Sequence, residues 1–294
     1  MLDDLLEGMS QGCRWASLQC VAVAAAFRNV TPAWPTPHAS LATFERLLSH
    51  RAYGPRVVAA PRPCDRGNCA GRVANASSWV VVLEDFASEA EARALVDAAA
   101  SQGFASATTG FGRAAGEKAR VSAIRSGGVA WCGDACAASA AARAVLARVA
   151  AVTGVAEAYH EAAQFVRYEP GQRYAEHHDS LSPRGAGRAA RASPLAKMER
   201  LGHRVLTAFL YLNALPPGAG GETAFPRLGV SVTPARGKLV VWANAWAADE
   251  ANGAVRDTLM FHEAKRVARG CARHGRLGCT KYGANVWVRE FPRR

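Results

Sequence analysis

Hydrophobic and polar positions along the chain fall into two regimes. WVVVLEDF (79–86) is a continuous apolar run of the length of a buried strand. SEAEARALVDAAA (88–100) repeats its apolar residues at helical spacing, with Ser88 as an N-cap and Glu91 three positions on. A second helix is predicted over 137–152, where Ala, Val and Leu recur every three or four residues. After Ala163 the period shortens. QFVRYE, HRVLTAFLYLNA, GETAFP, VSVTP, GKLVVWAN, DTLMFHE and KYGANVWVREF are short, β-branched or aromatic, and separated by Gly, Pro and Asn turns. Such a series predicts an antiparallel sandwich or barrel. Helices first and strands later give an α+β layout, with the helices buttressing one face of a sheet.

Residues 1–74 are mixed and read as an N-terminal extension to a domain over 75–294. They hold a helical start, a Pro-rich stretch (TPAWPTP), a helix-like piece around Phe44–His50 and the loop PRPCDRGNC. Trp15 to Phe27 is apolar enough for the core of a signal peptide, but Asp3, Asp4 and Glu7 precede it where positive charge is expected. No stretch reaches the roughly 18–20 apolar residues of a membrane span. The segment 180–202, small, basic and turn-rich, reads either as a flap over a pocket or as a surface insertion.

Composition changes the picture in two places. A net charge of +12 in 294 residues raises the question of acidic partners. Aromatic residues do not interleave with the basic ones as in single-strand binders, so a solvated basic face is the expectation and a nucleic-acid partner is not. The eight cysteines fall into local couples, Cys13/Cys20, Cys64/Cys69, Cys132/Cys136 and Cys271/Cys279. Short disulfide loops, free thiols and metal binding all stay open, although no couple has zinc-knuckle spacing. Two sequons, at Asn29 and Asn75, agree with secretion. The endoplasmic reticulum or secretory pathway is therefore the expected location, with the cytoplasm as alternative. Oligomeric state is not legible.

The candidate chemistry starts at His177-His178-Asp179. On an extended strand residues two apart point the same way, so His177 and Asp179 can share a metal while His178 faces elsewhere. Alone this pattern is weak. His262, closing the apolar run DTLMFH after several intervening strands, supplies a third ligand. Two His and one carboxylate form the facial triad of non-haem Fe(II) oxygenases, unless His262 is a structural histidine at a strand end. Lys281 opens the last strand, where Gly283, Asn285 and Trp287 share its face, and offers a cation to a cosubstrate carboxylate; an edge lysine is the plainer alternative. Thr207, Phe209 and Tyr211 likewise share one face, as pocket lining or as ordinary core.

The stretch VRYEPGQRYAEHHDSL, followed in order by HRVLTAFLYLN, GGETAFP, VTPARGKLVVWAN, the later His and Lys-x5-Trp, resembles the catalytic domain of the prolyl 4-hydroxylases, over roughly residues 79–294. The resemblance implies a double-stranded β-helix (jelly-roll) core. It assigns His177, Asp179 and His262 to Fe(II), and Lys281 to the distal carboxylate of 2-oxoglutarate. Tyr168, Tyr211 and, more faintly, Thr207 fall at cosubstrate or pocket positions, and Tyr174 and Trp287 at the substrate groove. O₂ as second cosubstrate, ascorbate as reductant and a peptidyl proline in an extended chain complete the implied reaction. Two departures stand out. His262 and Lys281 lie further apart than the family's spacing, the excess being CARHGRLGC, which leaves Arg273 as a second candidate anchor. Tyr282 stands where Trp is common.

Overall fold

Strands buried on both faces cannot alternate apolar with polar, and the central runs of this chain do not. The computed structural model describes residues 37–61, 78–109, 120–121, 124–180, 202–249, 253–269 and 278–293. Its helices are α1 (Pro37–Ser49), α2 (Glu89–Gln102), α3 (Asp134–Ala137) and α4 (Ala140–Thr153). The strands of the first half are β1 (Pro55–Ala59), β2 (Val80–Leu83), β3 (Ala105–Ser106), β4 (Thr108–Thr109), β5 (Arg120–Val121), β6 (Gly128–Trp131), β7 (Gln164–Tyr168) and β8 (Tyr174–His177). Then follow β9 (Arg204–Tyr211), β10 (Thr223–Phe225), β11 (Val230–Val232), β12 (Leu239–Ala243), β13 (Ala245–Asp249), β14 (Gly253–Arg256), β15 (His262–Ala264) and β16 (Lys281–Arg289).

Eight strands pair in the order β1-β2-β12-β9-β16-β7-β6-β3, and four more in the order β11-β10-β15-β8. Every pairing in both sheets is antiparallel. The larger sheet sorts its residues by parity. Val81 and Leu83 of β2, Leu206, Ala208 and Leu210 of β9, and Ala284, Val286 and Val288 of β16 pack with Phe44, Leu95, Val145 and Val149 from the helices. Val80, Val82, Phe209 and Tyr211 turn to the opposite face, where they meet Phe225 and Val232 of the smaller sheet and Met260. The α+β layout with helices on one face is what the sequence predicts. The candidate site lies on the other face, between the two sheets.

Helix α2 begins as its sequence predicts. Ser88 Oγ accepts the Glu91 N–H at 3.2 Å and the Ser88 N–H donates back to Glu91 Oε2 at 2.8 Å, a reciprocal cap. Arg148 of α4 then reaches Glu91 Oε1 at 2.6 Å, so the cap also ties the two helices together. Its guanidinium holds the Glu91 carboxyl at about 2, against the opposing effect of burial.

Three expectations are corrected. Residues 37–59 are not an extension outside the domain: Phe44 and Leu47 are fully buried in the helix-side core, and β1 pairs with β2. DTLMFHE is not one strand, because Asp257 Oδ1 accepts the Leu259 N–H and caps a 3₁₀ turn over Thr258–Met260, so that β15 starts at His262. Strand β8 stops at His177, and Asp179 sits in the bend beyond it. Cys132 and Cys136 form a disulfide, which removes the thiol and metal readings for that couple. Cys279 is disulfide-bonded as well. Cys13, Cys20, Cys64, Cys69, Cys271, Arg273, both sequons, the leader-like stretch and the 181–201 segment lie outside the described residues. No helix among the described residues is long and apolar enough to cross a membrane.

Candidate metal and cosubstrate site

Antiparallel pairing of β8 with β15 sets His177 directly opposite His262. Asp179 joins them from its bend, and one donor atom from each residue lies within 4.8 Å of the other two. His177 Nε2 is 3.7 Å from Asp179 Oδ1, and His262 Nε2 is 3.6 Å from Asp179 Oδ2. Each imidazole is oriented from behind: His177 Nδ1 meets Ala175 O at 2.9 Å and His262 Nδ1 meets Met260 O at 2.9 Å. A carbonyl only accepts, so both Nδ1 atoms carry the proton and both Nε2 lone pairs face the cluster. His178 faces away, with Nε2 on Asp257 O at 2.8 Å and Nδ1 accepting the Ser180 N–H.

Asp179 is held on one oxygen. Its Oδ2 accepts Thr207 Oγ1 at 2.7 Å and Trp287 Nε1 at 2.9 Å. Thr207 Oγ1 in turn accepts Asn244 Nδ2 at 2.7 Å, and Asn244 Oδ1 accepts Trp242 Nε1 at 2.9 Å. The register of β16 on β9 makes this possible by placing Trp287 opposite Thr207. Burial pushes the Asp179 carboxyl up, but His262, His177, Arg204 and the Thr207 hydroxyl outweigh it and hold it well below the ordinary carboxylate range. Burial, then the neighbouring His262, lowers His177 to about 3, so its imidazole is neutral. Two imidazole nitrogens and an ionised carboxylate, all at least half-buried, are the donor set that Fe(II) takes in facial-triad sites, and these residues fit it.

Lys281 lies 1 % exposed at the start of β16. Its Nζ is 5.2 Å from the ring centres of Phe209 and Tyr211 and 5.7 Å from that of Tyr168. Among the described residues no carboxylate or hydrogen-bond acceptor pairs with it. Burial pushes the ammonium down to about 7, with Glu222 pulling weakly the other way. Tyr211 is fixed, its hydroxyl donating to Val232 O at 2.9 Å and accepting the Thr223 N–H at 3.2 Å. Tyr168 is buried opposite Lys281 in the β7–β16 register, and its hydroxyl hydrogen-bonds Arg125. Tyr174 stacks on His177 with ring centres 3.5 Å apart, beneath the Arg125 guanidinium.

The structure thus brings His177, Asp179, His262, Thr207 and Trp287 together at one end of the β9 face, and Lys281, Tyr168 and Tyr211 at the other. Trp287, expected at a substrate groove, turns its indole N–H onto Asp179 instead. The sequence reading missed Asn244 and Trp242, and also Arg204, whose guanidinium lies 3.6 Å over the Trp287 ring while pairing with Glu161 at 2.6 Å. A parity argument on GKLVVWAN could have found Trp242 facing the site, but nothing local marks Arg204.

Residues 163–289 match the family model described as the 2OG-Fe(II) oxygenase superfamily. The human prolyl 4-hydroxylase subunit alpha-3 is 34% identical over 147 residues, covering 49% of this chain and 22% of that protein. The human subunit alpha-1 is 30% identical over 144 residues, with the same coverage of 49% and 22%. This chain therefore spans about a fifth of the length of the curated relatives it matches. Among solved structures, a viral collagen prolyl hydroxylase from Paramecium Bursaria Chlorella virus-1 aligns with a TM-score of 0.48 at 21% identity, over 76% of this chain and 99% of that one. A Pseudomonas putida prolyl-4-hydroxylase aligns with a TM-score of 0.44 at 20% identity, over 71% and 92%. The segment that matches the 2OG-Fe(II) oxygenase superfamily model, 163–289, holds His177, Asp179, His262 and Lys281.

Proposed function

We propose that this chain is an Fe(II)- and 2-oxoglutarate-dependent dioxygenase that hydroxylates peptidyl proline. One observation carries the reading: a buried lysine without an anionic partner lies across the same sheet face from a buried His-Asp-His cluster. Thr207 and Tyr211 are about 13 Å apart along β9, at roughly 3.3 Å per residue. The side chains and a five-carbon diacid divide that span between them. The facing sheets, with helices outside, support reading the core as a double-stranded β-helix.

Iron, when bound, supplies the oxidation, in which 2-oxoglutarate, O₂ and a substrate C–H become succinate, CO₂ and a C–OH. His177 and His262 present Nε2 lone pairs because backbone carbonyls hold their Nδ1 protons. Asp179 keeps Oδ1 for the metal because Thr207 and Trp287 occupy Oδ2. Lys281 pairs with the distal carboxylate of the cosubstrate, a charge-assisted contact that recovers part of the cost of its burial. Tyr168, Phe209 and Tyr211 wall off water around that ion pair. Ascorbate is the expected reductant. The prolyl 4-hydroxylase α subunits among its relatives support proline as the target. The Cys132–Cys136 disulfide supports an oxidising compartment.

Anaerobic titration with Fe(II) and 2-oxoglutarate is expected to develop a visible charge-transfer band, absent in His177→Ala. Succinate release is then compared with a proline-rich peptide, a lysine peptide and single-stranded DNA. Stimulation by DNA alone ends the prolyl reading, and a folded protein with no band ends the oxygenase reading.

A further inference from the structure

We propose that an arginine-lined groove beside the site docks an acidic stretch of the peptide substrate, centred about four residues from the hydroxylated proline. The inference rests on the peptide-hydroxylase reading above. The groove, of about 490 Å³, is lined by the Pro170–Arg173 turn, Ser126, Arg266 and Arg269. Its frame is fixed by backbone bonds. The Gly171 N–H donates to Val267 O at 2.7 Å, the Val267 N–H to Gln172 O at 3.0 Å, and the Ser126 N–H to Arg173 O at 3.0 Å. Arg266 donates to the Gly171 carbonyl. Arg269 lies over Gly171, whose φ of +89° and missing side chain let the guanidinium stem approach.

Among the described residues no carboxylate pairs with the arginines of this groove. Arg56, Arg93, Arg148, Arg167, Arg204, Arg227, Arg236 and Arg289 all lie within ion-pair distance of a carboxylate. Arg173, Arg266 and Arg269 pair with none among the described residues. The acid nearest in sequence, Glu169, is 3.3 Å from Arg167. Three arginines lining one concavity, with no carboxylate paired to them among the described residues, suit carboxylates arriving from outside.

Position sets the spacing. Arg173 is four residues from His177 along an extended segment, about 13 Å at roughly 3.3 Å per residue. A polyproline-like substrate rises about 3.1 Å per residue, so carboxylates about four positions from the reacting proline reach the groove. Association of such a substrate is also steered by the field of the groove and weakens with salt.

The test uses fluorescently labelled proline-rich peptides, one neutral, one with Glu-Glu four residues from the proline and one with Glu-Glu eight residues away. Anisotropy reads binding whether or not turnover occurs. At low salt the four-residue peptide is expected to bind about tenfold tighter than the neutral one, as a few semi-exposed charge pairs give. That advantage should shrink with added salt and vanish in Arg173→Gln/Arg269→Gln, while neutral-peptide affinity and peptide-independent 2-oxoglutarate turnover stay unchanged. Equal binding of the three peptides by the wild type, or an advantage that survives the double substitution, overturns the proposal. So does displacement of the labelled acidic peptide by a single-stranded oligonucleotide but not by its own unlabelled form. If the double variant misfolds, the salt and spacing dependence of the wild type decides alone. Tight binding of the acidic peptide without hydroxylation of any peptide ends the prolyl reading and leaves the groove standing.

Discussion

At the scale of single residues, Lys281 is a charge buried at a cost. Folding lowers its pKa from 10.5 to about 7, because burial disfavours the ammonium. Between those values the unfolded chain holds a proton that the folded chain releases, so this residue makes stability rise with pH across that window, and its penalty is complete below pH 7. At about 1.4 kcal/mol per pKa unit the penalty is several kcal/mol. Lys281→Met is therefore expected to raise the melting temperature at pH 7 while abolishing 2-oxoglutarate binding by calorimetry. A lowered melting temperature with cosubstrate affinity intact would sink the anchor role. In the wild type, cosubstrate affinity should fall as pH rises above 7, because binding must then restore the proton. Trp287 invites a second substitution. Trp287→Phe keeps a ring under Arg204 but removes the 2.9 Å bond to Asp179 Oδ2. Losing such a partner behind a ligand weakens metal binding by about 10- to 100-fold, so Fe(II) affinity should drop while the unfolding midpoint moves little.

At the scale of elements, sequence periodicity read the strands well and their ends poorly. The parity of HRVLTAFLYL and KYGANVWV correctly grouped Thr207 with Tyr211 and Lys281 with Trp287. It did so because β9 and β16 are long and central, and a one-residue slip would invert every buried side chain. His177 and Asp179 are neighbours, as strand alternation predicts, but alternation stops at the end of β8 and a bend delivers Asp179. DTLMFHE failed because an Asp cap outcompetes strand pairing over three residues. The chain holding Asp179 in place was invisible, since its members are far apart in sequence and meet only through register. Gly283 shows how tight that register is: a Cβ there would stand 2.2 Å from the Phe209 ring. Gly283→Ala must displace the ring that flanks Lys281, and overpacking of this kind costs about 1–3 kcal/mol. Denaturant unfolding should show that loss, and cosubstrate affinity should weaken with it. An unchanged midpoint and affinity would mean that β16 shifts without strain.

At the scale of the whole molecule, the domain begins earlier than composition suggests. The Pro- and Cys-bearing stretch up to residue 74 looks like a linker, yet α1 and β1 lie inside it and complete the fold. Phe44 stacks on Trp79 with ring centres 5.4 Å apart, and both Phe44 and Leu47 are fully buried. Burying each such side chain contributes roughly 1.5–3 kcal/mol, comparable in sum with the roughly 5–15 kcal/mol that a domain has in total. Strand β1 also covers the edge of β2, whose four residues are all buried. Without it Val81 and Leu83 would stand beside an open row of backbone donors and acceptors, a template for edge-to-edge association. A chain beginning at residue 75 retains every candidate ligand, yet it should unfold at markedly lower denaturant than one beginning at residue 37, and it should scatter light on concentration. Because β2 borders β12, and β12 carries Trp242 and leads into Asn244, the loss should reach the Asp179 hydrogen-bond chain and weaken Fe(II) binding too. Equal midpoints and equal metal affinity for the two chains would show that α1 and β1 are passengers, and would restore the boundary that the sequence alone suggests.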